Sequence, residues 1–202
     1  MKKLPQRRKF LLAGLCAGMS LAYGDCHAHG SVGYVAAKIV IPPSIMVRVQ
    51  KKEVKLADLV VDRVTAVQFM FTSCSSICPV QGATFAELQR LLAERNVDNA
   101  RLLSLSIDEL GDDDLALKNW LHKFSAGPRW SAGALTAASV TPAYNVLEEQ
   151  ADPAYRHSSK VYIFDQTGRL VWRTAEFPRA QDVIKLMEKF AGVAATAANT
   201  GR

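Results

Sequence analysis

Cys74 and Cys78 stand four residues apart in the run FTSCSSICP at 71–79, and two thiols at that spacing open two kinds of chemistry. On one helical turn their Cα atoms lie on the order of 6 Å apart, which suits both a disulfide and joint ligation of one soft metal. A third reading, a disulfide that only staples a turn, has little to recommend it, because so short a loop constrains little chain. The neighbours say more than the spacing. An apolar run at 64–71 (VTAVQFMF) precedes the pair, and Pro79 suits the first turn of a helix. The cysteines therefore fall between the carboxyl end of a buried strand and a helix N-terminus, where α/β sheets place ligands. Free N–H groups and the positive end of the helix dipole favour a thiolate there.

His157 is the third residue of interest. A lone loop histidine is ordinarily solvated, but this one directly precedes an apolar strand that the fold order can bring to the same end of the sheet. Two thiolates and a neutral imidazole form a soft, three-coordinate set suited to Cu(I), with Cu(II) left open. Zinc would ask for a fourth ligand. The remaining candidates are weaker. Cys16 lies in an apolar leader, Cys26 beside its cut sites, and His27 and His29 nearby. His122 falls off the apolar stripe of its helix, which predicts a solvated side chain.

The elements needed to position this set can be read in turn. The 202 residues, 49% hydrophobic and 22% charged, suit one globular domain behind a leader. Five of the 25 basic residues (Lys2, Lys3, Arg7, Arg8 and Lys9) sit at the N-terminus, and without them 20 positive residues face 19 negative ones. That near-neutral body, with no basic patch interleaved with aromatics, argues against nucleic acid. The basic stretch runs into an apolar segment at 10–22, short of the ~20 residues a spanning helix needs, as in a cleaved export signal. A cut after Gly24 is expected, or as late as Ala28, and Arg7-Arg8 resembles a twin-arginine address read by export machinery. Export to an oxidising compartment, the bacterial periplasm, follows; membrane attachment would require that the leader be retained.

Residues 25–43 read as a linker, 44–191 as the folded domain, and 192–202, small and polar, as a flexible tail. Within the domain, 45–50 alternates as a strand and 64–71 is apolar on both faces, as a central strand would be. A helix follows to about Arg95, burying Phe85, Leu88, Leu91 and Leu92. The segment 54–61 is ambiguous. Residues 101–108 form a second strand. Residues 112–124 form a helix with Leu117, Trp120, Leu121 and Phe124 on one stripe, and a weaker helix spans 142–149. Strands at 160–165 and 169–174 make a hairpin turned by Gly168, and 179–190 closes as a helix. Trp130 is expected in the core. The order predicts an α/β, thioredoxin-like single domain, a central mixed sheet flanked by helices.

The run from Phe71 to Pro79 resembles the metal-site segment of the SCO1/SenC family, thioredoxin-fold copper proteins implicated in assembling the dinuclear copper centre of cytochrome oxidase. The likeness continues through Ser106-Ile107-Asp108 with Asp112, Pro128-Arg129-Trp130, His157-Ser158 and the turn from Asp165 to Gly168, in the family's order. It implies Cys74, Cys78 and His157 as copper ligands. Asp108 and Asp112 match a carboxylate pair near the site, and a strand end and helix cap account for them equally well. Residues 42–62 match the family poorly.

Three activities compete. The first is a copper carrier, a metallochaperone rather than an enzyme, delivering to a copper-accepting protein such as a cytochrome oxidase subunit. The second is a thiol–disulfide oxidoreductase, with Cys74 and Cys78 as its redox pair keeping the acceptor's cysteines reduced. A thiol peroxidase is disfavoured, because residues 67–73 lack the proline and threonine that peroxiredoxins place before their cysteine. A copper sensor would use the same site as the carrier.

Overall fold

The computed structural model describes residues 38–148 and 158–192. The expected leader, the cut sites, Cys16, Cys26, His27, His29, the tail beyond 192 and His157 itself lie outside the described residues. In chain order the elements are β1 (Ile39–Val40), β2 (Met46–Val49), β3 (Lys52–Lys55), α1 (Leu56–Val60), β4 (Val64–Met70), α2 (Ile77–Glu94), β5 (Ala100–Ser106), α3 (Asp114–Lys123), β6 (Trp130–Leu135), α4 (Ala137–Leu147), β7 (Tyr162–Phe164), β8 (Arg169–Arg173) and α5 (Ala180–Ala191).

The strands form one sheet of eight in the order β1-β8-β7-β4-β5-β6-β2-β3. The pairings β4–β5 and β5–β6 are parallel, and the others antiparallel. β4 sits inside the sheet with every residue buried, which is why its sequence is apolar without alternation. Its side chains still divide by parity. Val67 and Phe69 join the core under α1 and α4, where Phe69 stacks on Tyr144 with ring centroids 4.5 Å apart. Val64 and Ala66 join the opposite core under α2 and α5, with Phe85, Leu88, Val183 and Met187. Gly168, at φ +73°, closes the β7–β8 hairpin in the left-handed region that glycine tolerates.

Several boundaries differ from the sequence reading. The sheet reaches back to Ile39, inside the segment read as linker, because β1 pairs with the edge of β8. The ambiguous stretch at 54–61 divides into the end of β3 and the short helix α1. The β2–β3 hairpin turns on Gln50 and Lys51, both at positive φ, as a two-residue turn of matching twist requires. β6 was not expected as a strand. Its Trp130 is core, 3% exposed, with its indole N–H donating to Ser104 Oγ at 2.9 Å. The helix expected to begin at Pro142 begins at Ala137, so Pro142 lies inside α4. Among the described residues, no helix is long and apolar enough to cross a membrane.

Candidate functional site

The cysteines sit where β4 hands over to α2. After Met70 the chain turns through 71–76, and the Cys74 amide donates to the Phe71 carbonyl at 3.1 Å. Helix α2 starts at Ile77 with no side-chain cap on its first turn. Its unpaired N–H groups are therefore open to another acceptor, and Cys74 supplies one: the Cys78 backbone N–H donates to Cys74 Sγ at 3.4 Å. So the two cysteines do not share a helix. Cys74 belongs to the turn and Cys78 to the first helical turn, and the helix N-terminus itself joins them.

Both thiols are free and buried, at 7% and 4% exposure. They rest on an apolar cluster of Met70, Leu117, Trp120 and Ala134, supplied by β4, α3 and β6. Their acidities are split. Burial opposes ionisation of Cys74, but hydrogen bonds from the Cys78 thiol and backbone and from Ser76 outweigh it and bring the thiol from 9.0 down to about 7. Burial, reinforced by its hydrogen bond to Cys74, pushes the Cys78 thiol up to about 12. Alkylation of the reduced protein by iodoacetamide should therefore occur at Cys74 first, its rate climbing through a midpoint near pH 7. Peptide mapping across pH checks this; equal labelling of both cysteines at neutral pH would contradict it.

A buried carboxylate holds the turn. Asp112, 1% exposed, accepts from the Thr72 amide at 2.9 Å, the Thr72 hydroxyl at 2.5 Å and the Ser106 hydroxyl at 2.6 Å. Asp108 instead orders its own turn, accepting from the Gly111 amide at 2.9 Å. Neither caps α3: that role falls to Asp113, which accepts from the Ala116 amide at 2.8 Å. The pair thus divides into a residue that braces the cysteine turn and one that shapes the loop behind it.

Among the described residues, no group of three or more His, Cys, Asp or Glu stands together as a metal site. His122 is exposed on α3, as expected. Ser158, the first residue described after the segment 149–157, lies beside Cys78. It lines one small cleft with Cys78, Ile77, Phe71 and Ile107. Gln81, one helical turn beyond Cys78, donates to the Ser158 carbonyl at 2.9 Å. Thr72 and Ser158 stood in the motifs read from the sequence without a role of their own, and Gln81 was missed. The signal for Gln81 was present, since it occupies the stripe of Phe85, Leu88 and Leu92 and is as buried as they are.

Known proteins resemble this arrangement at the level of fold and of sequence. A protein from Bacillus subtilis (strain 168) described as a SCO1 protein homolog is 35% identical over 74 residues, which are 37% of this chain and 33% of that protein. The match thus spans about a third of that relative's length. The solved structure of BsSco, a member of the Sco family of cytochrome c oxidase assembly proteins in which a disulfide switch was identified, aligns with a TM-score of 0.63 at 20% identity. That alignment covers 78% of this chain and 96% of BsSco. Yeast Sco1 with copper bound aligns with a TM-score of 0.65 at 17% identity, over 80% of this chain and 98% of that one. These likenesses show the thioredoxin-like architecture, a mixed sheet flanked by helices. The family model for SCO1/SenC matches residues 46–193, and the chain belongs to that family.

Proposed function

We propose that the protein is a copper carrier that holds one Cu(I) between Cys74, Cys78 and His157 and passes it to a copper-accepting protein. The observation that carries this reading is the pair of free, buried thiols where β4 hands over to α2, with Ser158 lining a cleft beside Cys78. Soft thiolates select Cu(I), and two of them with a neutral imidazole give a complex of net charge −1 with room for an incoming ligand. The cargo then moves by ligand exchange, as thiolates of the acceptor displace the imidazole and then the cysteines. Loading releases protons, chiefly from Cys78, so affinity rises with pH. Yeast Sco1 was solved with copper, and BsSco belongs to a family of cytochrome c oxidase assembly proteins. On that likeness the acceptor is a cytochrome oxidase subunit, at its dinuclear copper site. The leader would deliver the domain to the periplasm.

The test is an anaerobic Cu(I) titration of the reduced protein, parent beside His157→Ala, against a competing chelator. One tightly held copper in the parent and a loss of about tenfold or more in the variant are expected, since even supporting partners of metal ligands contribute about 10–100-fold. A variant that loads copper like the parent would remove His157 from the site.

The split acidities favour a second activity on the same residues. A thiol near neutrality beside one that stays protonated is the division of labour of a thiol–disulfide reductant, with Cys74 attacking an acceptor's disulfide and Cys78 resolving the mixed disulfide. The two roles are compatible, because an acceptor's cysteines must be reduced before they can take copper.

A further inference from the structure

Five large apolar side chains are exposed among the described residues: Val40, Val80, Leu110, Leu115 and Phe177. One such residue alone means little, because much of any protein surface is apolar. Their distribution says more. β5 runs parallel to β4, and β8, antiparallel to β7, points the same way as β4. The chain therefore leaves β4, β5 and β8 at one end of the sheet, the end that carries Cys74 and Cys78. Leu110 follows β5, Leu115 lies in the first turn of α3, Val80 in the first turn of α2, and Phe177 after β8. Val40 lies at the other end, where β1 meets the start of β8 at Arg169. Four of the five thus share the end of the sheet at which the thiols sit.

Leu110 is the extreme case, 96% exposed in the loop 107–113. A leucine on a slack loop would need no explanation, but this loop is held at several points. The Ile107 amide donates to the Met70 carbonyl at 3.0 Å, and the Asp112 amide to the Asp108 carbonyl at 2.9 Å. The Arg48 guanidinium donates to the carbonyls of Glu109 and Asp112 at 3.1 and 3.0 Å. The Glu109 carboxylate accepts from the Ala137 amide. Through Asp112 and Thr72 the same loop braces the cysteine turn. The leucine is thus presented on a fixed support, which lowers the ordering cost of an encounter. Its frame is acidic. Between Arg101 and Lys118 stand Asp108, Glu109, Asp112, Asp113 and Asp114, with no basic residue. Asp112 is buried on its three donors, and the other four are at least partly exposed. Against them Arg48 reaches the loop from β2.

We propose that this end of the sheet, with Leu110 as its apolar knob, is the docking face for the copper-accepting protein, whose matching surface is an apolar recess rimmed by Lys or Arg. The proposal rests on the carrier reading and adds to it the chemistry of the acceptor's surface. An acidic rim disfavours an anionic lipid surface. It steers a basic protein face toward the thiols, raising the rate of encounter. The leucine supplies apolar area that leaves water only in the complex.

The test compares two acceptors of Cu(I) from the loaded full chain. One is the reduced soluble domain of the cytochrome oxidase subunit proposed above; the other is dithiothreitol, a small dithiol that needs no docking face. Transfer is timed by rapid separation and copper analysis. Leu110→Ser alters a fully exposed side chain and leaves the packing intact. It should slow transfer to the domain about tenfold at limiting acceptor, as the loss of one buried leucine side chain does. Transfer to dithiothreitol and Cu(I) affinity should stay as in the parent. Glu109→Gln, which keeps an oxygen for the Ala137 amide, should slow transfer less and weaken its dependence on salt. Parent-like transfer by Leu110→Ser would overturn the proposal, and so would equal slowing toward both acceptors, which would mark damage to the copper site. A parent that loads dithiothreitol but not the domain would overturn it as well. So would a parent dimer in sedimentation that Leu110→Ser dissolves, which would give the face to a second copy. Failure of the carrier reading is seen separately, as a parent that holds no copper under chelator competition.

Discussion

Replacing either cysteine by serine should end tight Cu(I) binding, with affinity falling by more than about 100-fold, beyond the range that supporting partners of metal ligands command. The two substitutions reach that result differently. Cys74→Ser removes the thiol that is already near ionisation and the sulfur that receives the Cys78 N–H. Cys78→Ser removes the more deeply buried sulfur, whose proton leaves only when something soft and positive takes its place. A hydroxyl in either position is a hard, un-ionised donor that Cu(I) does not favour. Each variant should also lose the intramolecular disulfide under mild oxidation. Chelator competition and thiol counting check both statements. One copper retained within tenfold of the parent by either variant would mean that the metal is held elsewhere.

Asp112→Ala should produce the largest loss of stability short of a core deletion. Its carboxylate takes three hydrogen bonds, two from Thr72 and one from Ser106, at a site closed to water. Truncation strands three donors, and each buried unpaired group costs about 1–3 kcal/mol. Relaxation of the turn recovers part of that, so a net loss on the order of 3 kcal/mol is expected. Chemical denaturation of the reduced protein, with an unchanged slope and a lowered midpoint, is the measurement. Asp112→Asn should lie between, since one carboxamide oxygen can serve some of the donors. A midpoint within a few tenths of a kcal/mol of the parent would show that Thr72 and Ser106 find other partners. Because Thr72 stands two residues before Cys74, Asp112→Ala should also raise the Cys74 alkylation midpoint.

The elements that were legible in the sequence carry their own signature. β4 reads as apolar on both faces because both faces are covered. α2, α3 and α5 show their buried stripes, and Gly168 marks its hairpin. β6 was illegible because Ser131, Ala132, Gly133 and Ala134 are small, and the reason lies on another strand. A Cβ on Gly133 would sit 2.6 Å from a Val47 methyl, so β2 requires the absence of a side chain there. Proline misled at α4: it is tolerated in a first turn and was taken to mark one, but Pro142 falls in the second. The β2–β3 turn has no glycine or asparagine to announce it, only Gln50 and Lys51 in an uncommon conformation.

At the site, the cysteines were legible from type and spacing alone. Asp112 was named only through the family's pattern, and its bracing of Thr72 and the place of Gln81 were not legible, because the partners lie 40 and 77 residues away. Only the closed sheet brings them together.

The sheet order also constrains when a site of this kind can come into being during synthesis. Both cysteines follow β4, and Ser158, in a cleft with Cys78, leads into β7, which lies against β4 with Thr65 opposite Phe164. That pairing closes a span of nearly half the chain, and β1 waits longer still, for Leu170. Contacts so distant along the chain are slow to form, since the entropy of closing the loop precedes any reward. A nascent chain that has exposed both cysteines but not residue 164 holds two thiols without the strand that brings Ser158 beside Cys78. During that interval it resembles any other dithiol, open to oxidation and to whichever soft ion arrives first. The surroundings of the two thiols are therefore completed late, with the last strands of the domain.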